Sequence, residues 1–501
     1  MNKPTQLGSR FAIPLYSIIV VLIFAACSRD PHSTMSRHVV SDCPLDVREE
    51  QQVRCAFFYV PERHEHPDSQ KIQIAVAQFK SANPNAASDP LVLLSGGPGD
   101  SNFDVFFPVL SGPLGEALLS QRDVVIIESR GLYYSKPNLV AKEVFAVQLE
   151  MVGNNVKGPE ANRKLLEAMR RAHTRFMEEG IDLPAFNNRE TAADIGVVLT
   201  ALGYDRFNLF GASAGTMVAQ EALRMYPDRL RAVILNAAVP DGPALFEQMF
   251  GNAARSLSRY FAMCEADPAC ASAYPHAEER FLRKLAELNV SPTEVSVTDP
   301  VTRETVSLVL NGDKVSSWVF VSMYWNTQII RSIDRIVNGD FTEIQNGPDI
   351  FFPMPRFAYA LGYTSAIADN PDFVASDGPL PDGYQDFTDG LALFFSPRLM
   401  EATRDLWQGA SALAKGKKLV SDVPTLVMNG ALDHVIPRQN LDKLASGLRN
   451  GYVFVFDGVA HSPVDAGECG LAMMMAFLAD PSTAPNSECM ADYQHTFALP
   501  E

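Results

Sequence analysis

The stretch RFNLFGASAGTMVAQEAL, residues 206–223, decides the fold that this sequence predicts. An apolar run precedes Ser213, apolar residues at helical spacing follow it, and Gly211 and Gly215 flank it. A serine on a tight turn between a strand and a helix exposes its Oγ, and the turn leaves no room for larger neighbours. This context favours a nucleophile over the alternative, a turn of small residues that happens to contain serine.

Apolar runs resembling buried strands recur on both sides of this motif. They do not alternate with polar residues, which is typical of strands covered on both faces. Helical patterns separate them, as at 189–204 and 214–227, and this order indicates a mostly parallel sheet flanked by helices. A further run at 71–80, KIQIAVAQFK, does alternate and predicts an antiparallel edge strand. The continuous runs are PLVLLSGGPG (90–99), DVVIIESRG (123–131), RFNLFGASAG (206–215), RAVILNAAVP (231–240), PTLVMNGALD (424–433) and YVFVFDGVAH (452–461).

The rhythm of strands and helices stops near Pro240 and returns at Pro424. Residues 241–411 carry helical patterns such as MYWNTQIIRSIDRIV and few runs that resemble strands. We therefore predict an α/β sheet domain in two parts, 43–240 and 412–501, with a mainly helical cap insertion between them.

A serine hydroxyl needs a base to remove its proton and a carboxylate to orient that base. After a strand–turn–helix nucleophile, the chain order is serine, acid, histidine. His461 follows the last strand-like run in a glycine-containing loop, and Asp433 ends the run before it. We predict that Ser213, Asp433 and His461 form a triad, although Asp433 could instead cap a helix. The weaker candidates for base and acid are His434, His495, Asp442 and Asp457.

Attack on a carbonyl creates an oxyanion, which paired backbone N–H groups must stabilise. One of them comes from the residue after the nucleophile, Ala214, and the other from a loop after an early strand. The segment LLSGGPGDS, 93–101, fits the second role because its glycines let the backbone approach a substrate, although it could be a plain turn. We therefore predict an oxyanion hole formed by the amides of Gly97 and Ala214.

Five motifs, given in chain order at the end of this paragraph, resemble those of the prolyl aminopeptidase and tripeptidyl aminopeptidase branch of the α/β-hydrolases. The resemblance extends over roughly 43–240 and 403–489, and it implies the α/β-hydrolase fold with a cap that closes over the nucleophile. Arg130 and Gly131 match the Asp-Gln-Arg-Gly element of the family, whereas Glu128 and Ser129 depart from it. The motifs are SGGPG (95–99), ESRGLYYSKPNL (128–139), GASAGT (211–216), NGALDHVIP (429–437) and GVAHSPV (458–464).

The resemblance implies an enzyme that releases residues or short peptides from peptide N-termini through an acyl-enzyme. Two alternatives remain open, a carboxylesterase using the same triad on small esters and a non-catalytic binding protein. No cofactor is predicted, and no metal, because HExxH is absent and the cysteine spacing offers no zinc set. In the family, carboxylates of the cap bind the free amine of the substrate. The candidates by position in the cap insertion are Glu247, Glu265 and Asp267.

The N-terminus predicts export. Lys3 and Arg10 are followed by an apolar segment, 11–26, in the pattern of a signal peptide over 1–26. This segment is shorter than the roughly 20 residues that a membrane span needs. A retained membrane anchor is therefore the weaker alternative.

Ala25-Ala26-Cys27 resembles the lipobox of bacterial lipoproteins. The resemblance implies lipidation of Cys27, with a polar tether over 27–42 leading to the fold. We expect a lipoprotein of the bacterial cell envelope that faces the periplasm, and Ser28 favours the outer membrane over the inner one by family analogy. A plain secretory signal with an incidental cysteine is the alternative.

The chain contains seven cysteines, and six remain if the lipid takes Cys27. An even number can close disulfides in an oxidising periplasm, whereas the alternative is six reduced thiols. Six cysteines permit 15 pairings, so neighbours in sequence are only one choice. CEADPACASAYP, 264–275, also resembles the cysteine pair of the family cap. The pairs of neighbours are Cys43 with Cys55, Cys264 with Cys270, and Cys469 with Cys489.

The formal net charge of −17 argues against one class of partner. An acidic surface repels phosphate backbones, so we expect no binding to nucleic acid. The expected partners are a short peptide or small ester as substrate and, through the lipid, a membrane.

Overall fold

The computed structural model describes residues 38–48, 51–240, 244–370, 372–391, 396–407, 418–438 and 441–500, which fall within one compact unit, 36–501. The predicted signal peptide, 1–26, and Cys27 lie outside the described residues. Among the described residues, no helix is both long and apolar enough to span a membrane.

The strands of the described chain form a nine-stranded sheet and a separate two-stranded hairpin. In chain order they are β1 (His38–Ser41), β2 (Val53–Pro61), β3 (Lys71–Phe79), β4 (Ala87–Leu94), β5 (Arg122–Ile127), β6 (Phe207–Ala212), β7 (Leu230–Asn236), β8 (Thr293–Thr298), β9 (Thr305–Leu310), β10 (Thr425–Gly430) and β11 (Gly451–Phe456). The large sheet has the order β1-β2-β3-β5-β4-β6-β7-β10-β11, and the six strands from β5 onward are parallel. This confirms the predicted fold class, a mostly parallel sheet flanked by helices.

Helices cover the sheet and make up most of the cap insertion. Before β7 lie α1 (Asn102–Leu110), α2 (Pro113–Gln121), α3 (Glu143–Gly153), α4 (Gly158–Glu178), α5 (Asn188–Ala201) and α6 (Gly215–Met225). The cap insertion contains α7 (Ala244–Glu247), α8 (Met249–Ala266), α9 (Pro268–Ala273), α10 (Ala277–Val290), α11 (Gly312–Ser322), α12 (Ile329–Val337), α13 (Thr342–Asn346), α14 (Tyr359–Asp369), α15 (Gln385–Asp389) and α16 (Pro397–Trp407). After it come α17 (Leu441–Ala445) and α18 (Glu468–Ala479). Short 3₁₀ turns lie at Leu183–Ala185, Asp349–Phe351 and Glu488–Asp492.

The core lies on both faces of the large sheet. Along β6 and β7, Leu209 and Val233 belong to one apolar cluster, whereas Phe210 and Ile234 belong to the other. Successive side chains of a strand point to opposite faces, so this division requires cover on both sides. Helices α1, α2 and α18 supply one layer, and α3 to α6 with helices of the cap insertion supply the other.

Two sequence predictions about strand position were wrong. The run at 71–80 is not an edge strand, because β3 pairs with β2 on one side, from Val53↔Phe79 to Pro61↔Lys71, and with β5 on the other. Conversely, β11 is the edge of the sheet and is partly exposed rather than buried on both faces. Apolar content alone does not reveal which strand lies last in a sheet, since pairing is set by partners distant in sequence.

The boundaries of the predicted segments differ from the structure at two places. Residues 38–41 of the predicted tether form β1, which pairs with β2, so the sheet begins before Cys43. The cap insertion also contains the antiparallel hairpin β8–β9, which the helical patterns did not predict. Its strands are half exposed, which explains why no continuous apolar run marked them.

Three disulfides join the neighbouring cysteines, at sequence separations of 12, 6 and 20 residues. The bonds are Cys43–Cys55, Cys264–Cys270 and Cys469–Cys489. The first ties the segment after β1 to β2, the second joins α8 to α9, and the third holds the C-terminal segment on α18. The structure therefore has the local pairing, one of the 15 that six cysteines permit.

Arg130, a residue of the motif shared with the family, is fully buried. Its Nε and Nη2 donate to the two carboxylate oxygens of Asp194 at 2.8 and 2.6 Å, and Nη1 donates to the carbonyl of Ala185. Burial opposes ionisation of Asp194, but the guanidinium and His64 hold the pKa of that carboxyl below its usual value. Because these charges pair with each other, Arg130 fastens the loop after β5 to α5 and serves the fold rather than the chemistry.

Candidate active site

Ser213 lies at the sharp turn between β6 and α6. Its φ is +50°, in the left-handed region that residues other than glycine rarely adopt. Its backbone N–H donates to the carbonyl of Asn236 on the neighbouring strand at 2.9 Å, and its side chain is partly exposed. Such local strain is typical of functional positions, and here it presents the hydroxyl beyond the carboxyl end of the sheet.

The glycines beside Ser213 are required by close backbone packing. A Cβ on Gly211 would lie 2.7 Å from the carbonyl oxygen of Gly215, and one on Gly215 would lie 2.5 Å from that of Ser95. Both distances are too short for any side chain. The spacing Gly-x-Ser-x-Gly is thus a consequence of the turn, and the same packing brings the 93–101 loop against the nucleophile.

Asp433 and His461 meet at the ends of β10 and β11. His461 Nδ1 lies 2.8 Å from Asp433 Oδ2, and both side chains are buried. The other carboxylate oxygen, Oδ1, accepts the N–H groups of Val435 and Ile436 at 2.8 and 2.9 Å. With its proton on Nδ1, the imidazole donates to the carboxylate and leaves Nε2 as the base. The same Oδ1 bonds hold the turn after β10, in which residues 433–437 form no α-helix, so Asp433 caps a turn and not a helix.

Asn236 connects the loop of the base to the turn of the nucleophile. Its carbonyl accepts the N–H of Ser213, while its side-chain Nδ2 donates to Ser462 Oγ at 2.6 Å. Its Oδ1 accepts the N–H of Val464 at 3.3 Å. The residues directly after His461 are therefore bound to Asn236 at the end of β7. This strand pairs with the end of β6 through Ala212↔Asn236.

His461 Nε2 is buried and has no hydrogen-bond partner among the described residues, and no hydrogen bond joins it to Ser213 Oγ there. In an enzyme without substrate, catalytic hydrogen bonds are often long and tighten only in the complex. The structure thus joins acid and base directly, and Asn236 links the loop of the base to the turn of the nucleophile.

The predicted oxyanion donors lie on two segments that touch each other. A Cβ on Gly96 would lie 3.0 Å from the Cβ of Ser213, and Gly97 has a φ of +105°, which favours glycine. In the described part of the chain, neither Gly97 N nor Ala214 N donates a hydrogen bond to another group. Unpaired amides beside a nucleophile are what an oxyanion hole requires.

A cavity adjoins the nucleophile turn, and one acidic residue lines it that the sequence analysis did not select. Asp100 lies in this wall with Ser95, Gly96, Ala214 and Gly215. Among the described residues its carboxylate has no hydrogen bond and no ion-pair partner. Burial, and then the negative charge of Asp104, raise the pKa of Asp100 to about 6. In the sequence this aspartate looks like an ordinary turn residue.

The other acidic candidates have different positions. Glu247 accepts a hydrogen bond from Asn370 at 2.8 Å, and Asp267 caps α9 through the N–H groups of its first turn. Glu265 is exposed, and none of the three is among the cavity-lining residues. The geometry thus gives no support to the amine-binding role that their position in the cap insertion suggested.

The rival bases and acids do not form an alternative triad. His434 is fully buried, and burial lowers its pKa to about 3, so it is neutral. His495 packs against the rings of Tyr260 and Phe497, and burial lowers its pKa as well. Asp457 is exposed at the end of β11, and Asp442 lies in α17.

A second cavity lies between α3, α4 and α11 and not at the serine. Its buried amine, Lys314 Nζ, donates to the carbonyls of Val152, Asn154 and Val309, which uses all three of its protons. Burial lowers the pKa of Lys314 to about 8. Because its polar groups already have partners, this amine ties the cap insertion to the α3–α4 connection. In the described residues, no group of three or more His, Cys, Asp or Glu could hold a metal ion.

Comparison with known proteins finds one family model and several distant relatives. The family model described as the alpha/beta hydrolase fold matches residues 89–328, which include Ser213 and end before Asp433 and His461. A tripeptidyl aminopeptidase of Streptomyces coelicolor is 26% identical over 203 residues, which are 40% of this chain and 37% of that protein. The serine protease Hip1 of Mycobacterium tuberculosis is 24% identical over 196 residues, 37% of this chain and 36% of that protein. A solved proline iminopeptidase of Mycobacterium smegmatis aligns with a TM-score of 0.36 and 15% identity, covering 85% of this chain and 98% of the other.

Proposed function

We propose that this chain, which has the α/β-hydrolase fold and resembles the tripeptidyl aminopeptidase branch of that family, is an exported serine peptidase of the aminopeptidase type. The matched segment spans about a third of its relatives' length, 37% of the Streptomyces coelicolor protein, so the activity of the whole chain is inferred and not transferred. The observation that carries the proposal is the buried Asp433–His461 pair at 2.8 Å beside the strained Ser213 turn.

The mechanism follows from the roles of these groups. His461 Nε2 takes the proton of Ser213 Oγ as the oxygen attacks the carbonyl of the scissile bond, and Asp433 stabilises the imidazolium that forms. The amides of Gly97 and Ala214 hold the oxyanion. His461 then gives its proton to the leaving amine, and the acyl group remains on Ser213 until water, deprotonated by the same imidazole, releases it.

A substrate panel on the intact protein tests this function. A fluorophosphonate probe should label the wild type, and aminoacyl and tripeptidyl anilides should be cleaved faster than short acyl esters. Labelling with preference for the esters would indicate the carboxylesterase instead. Absence of labelling would indicate a binding protein and contradict the proposal.

Asp100 favours a peptide with a free N-terminus over an ester. An ionised carboxylate on the loop that carries an oxyanion donor opposes the developing negative charge, unless the substrate brings a cation. The α-ammonium of a peptide is such a cation, and it would supply the ion-pair partner that Asp100 lacks among the described residues. We propose that Asp100, in the sheet domain, binds the amine in place of a carboxylate in the cap insertion.

Replacing Asp100 with asparagine should lower kcat/KM for a free-amine anilide about 10- to 100-fold, the range for a lost hydrogen bond between charged groups. The N-acetylated anilide should change by less than about threefold, since it carries no ammonium group. The control is Asp104→Asn. The carboxylate of Asp104 already accepts hydrogen bonds from Tyr134 and Arg356, so this variant should keep the preference for the free amine. Equal losses on both anilides in Asp100→Asn would exclude the amine-binding role.

The ratio of kcat/KM for free-amine to acetylated anilide should also depend on pH. It should rise as Asp100 ionises, near pH 6, and fall as the α-amine loses its proton at about pH 8. Groups that serve the chemical step act on both substrates alike, so their effect cancels in the ratio. Asp104 and the Tyr324 hydroxyl are the titratable groups coupled to Asp100, and in Asp104→Asn the lower limb should move to lower pH. A ratio independent of pH in the wild type would contradict the assignment.

Export and lipid attachment are part of the proposal, supported by the signal-peptide pattern and by three disulfides suited to an oxidising compartment. We propose attachment through Cys27 to the bacterial outer membrane, with the fold facing the periplasm. In a bacterium that processes lipoproteins, Cys27→Ala should move the protein from the membrane pellet to the soluble periplasmic fraction. A Cys27→Ala protein that still sediments with membranes would contradict the lipid anchor.

A further inference from the structure

Tyr324, two residues after the end of α11, contacts the catalytic base from outside the sheet domain. Its backbone carbonyl accepts the N–H of His461 at 3.1 Å. Its ring lies perpendicular to the His461 imidazole, with centroids 4.9 Å apart and an interplanar angle of 85°. One residue of the cap insertion thus binds both the backbone and the side chain of His461.

The Asp433 bond alone does not fix the imidazole. Asp433 is itself rigid, because Oδ1 is held by two N–H groups of the following turn. A single hydrogen bond at Nδ1 still lets the ring pivot about that contact and swing Nε2 away from the nucleophile. Nε2 has no partner of its own among the described residues, so any further restraint on the ring must come from packing. The ring of Tyr324 is placed to supply it.

Tyr324 is also held on its other side. Its ring contacts His434 at 4.6 Å and Phe320 at 5.9 Å, and Phe320 contacts His434 at 5.0 Å, all nearly perpendicular. His434 is fully buried and follows Asp433 directly in the chain. The three rings therefore lock the end of α11 to the acid-bearing turn, and Tyr324 is a fixed support for His461 instead of a mobile neighbour.

We infer that Tyr324 is a positioning residue, which holds the His461 imidazole with Nε2 toward Ser213 and so makes a correctly seated cap insertion a condition for catalysis. The inference rests on the proposed serine hydrolase function. Tyr324 acts through its ring and its carbonyl and takes no part in proton transfer, so its hydroxyl is dispensable for this role.

Two substitutions separate the ring from the hydroxyl. Tyr324→Phe keeps the ring, whereas Tyr324→Leu removes it, and both keep the backbone carbonyl. The matched control is Tyr384→Leu, another buried aromatic of the cap insertion, which packs on Phe387 and donates to Glu278 at 2.7 Å. In the described residues, Tyr384 forms neither a ring contact nor a hydrogen bond with His461. This control measures how much kcat and the labelling rate fall when packing within the cap insertion is loosened but the contacts with His461 are kept.

We expect Tyr324→Leu to lower kcat and the rate constant of fluorophosphonate labelling about 10- to 100-fold, the effect of a small misplacement of a catalytic group. KM should stay within about twofold, because the lost contact orients the base and does not bind substrate. Tyr324→Phe should stay within about threefold of the wild type in both measurements. Thermal unfolding checks each fold, and Tyr324→Met carries the same expectation if the leucine variant does not fold.

The inference is overturned if Tyr324→Leu loses no more than Tyr384→Leu, or if Tyr324→Phe loses as much as Tyr324→Leu. Either result is compatible with a wild type that the fluorophosphonate labels, and in that case the proposed function stands while the positioning role fails. A wild type that the probe does not label overturns the function, and the positioning role with it.

Discussion

Ser213→Ala is expected to abolish covalent labelling and to reduce hydrolysis by a factor on the order of 10⁵ to 10⁶, the loss seen when a serine nucleophile is removed. No other hydroxyl occupies the left-handed turn beyond β6, at a φ of +50°, where an attacking oxygen must lie. Alanine should not disturb the turn, since the backbone bond from residue 213 to Asn236 and the flanking glycines remain.

The measurements are the rate of fluorophosphonate labelling and kcat/KM on the best substrate of the panel. Ser120→Ala is the control, because the hydroxyl of this exposed serine donates to the carbonyl of Ala117 in the same helix, and the variant should behave like the wild type. Labelling of Ser213→Ala at the rate of the wild type would show that the nucleophile lies elsewhere.

Asp433→Asn is expected to lower kcat about 10⁴-fold with little change in stability. An asparagine can still accept the N–H groups of Val435 and Ile436 through its carbonyl oxygen, which preserves the turn. Its amide would then face His461 Nδ1 as a donor, and the imidazole would carry its proton on Nε2. In that tautomer the ring cannot take the proton of Ser213, so the chemical step should fail while binding is retained.

The measurement is kcat and KM for Asp433→Asn beside Asp442→Asn, the rival carboxylate in α17. Asp442→Asn should match the wild type. If instead Asp442→Asn lost kcat and Asp433→Asn matched the wild type, Asp442 would be the acid and the interpretation of the β10 turn would be wrong.

Much of the site was predictable because the carboxyl ends of parallel strands all lie on the same side of their sheet. The order of Ser213, Asp433 and His461 along the chain, each just after an apolar run, was sufficient to predict that the acid and base meet. The glycines around Ser213 could be interpreted for the same reason, since the turn is local and its steric needs are visible in the sequence.

The contacts that the sequence did not reveal depend on distant residues. The position of β3 inside the sheet depends on β2, and the environment of Asp100 depends on the loop and turn that line its cavity. Tyr324 lies in a stretch that the helical pattern covers, although α11 ends before it, at Ser322. No spacing rule connects such a residue to a histidine so much later in the chain.

The most direct test of the central claim is a crystal structure of the wild-type protein after reaction with the fluorophosphonate. The account predicts phosphorus bonded to Ser213 Oγ, with the phosphonyl oxygen facing the amides of Gly97 and Ala214. It also predicts His461 Nε2 within hydrogen-bond distance, about 2.6–3.2 Å, of an oxygen on that phosphorus. Phosphorus on another side chain, or an imidazole at residue 461 turned away from the adduct, would contradict it.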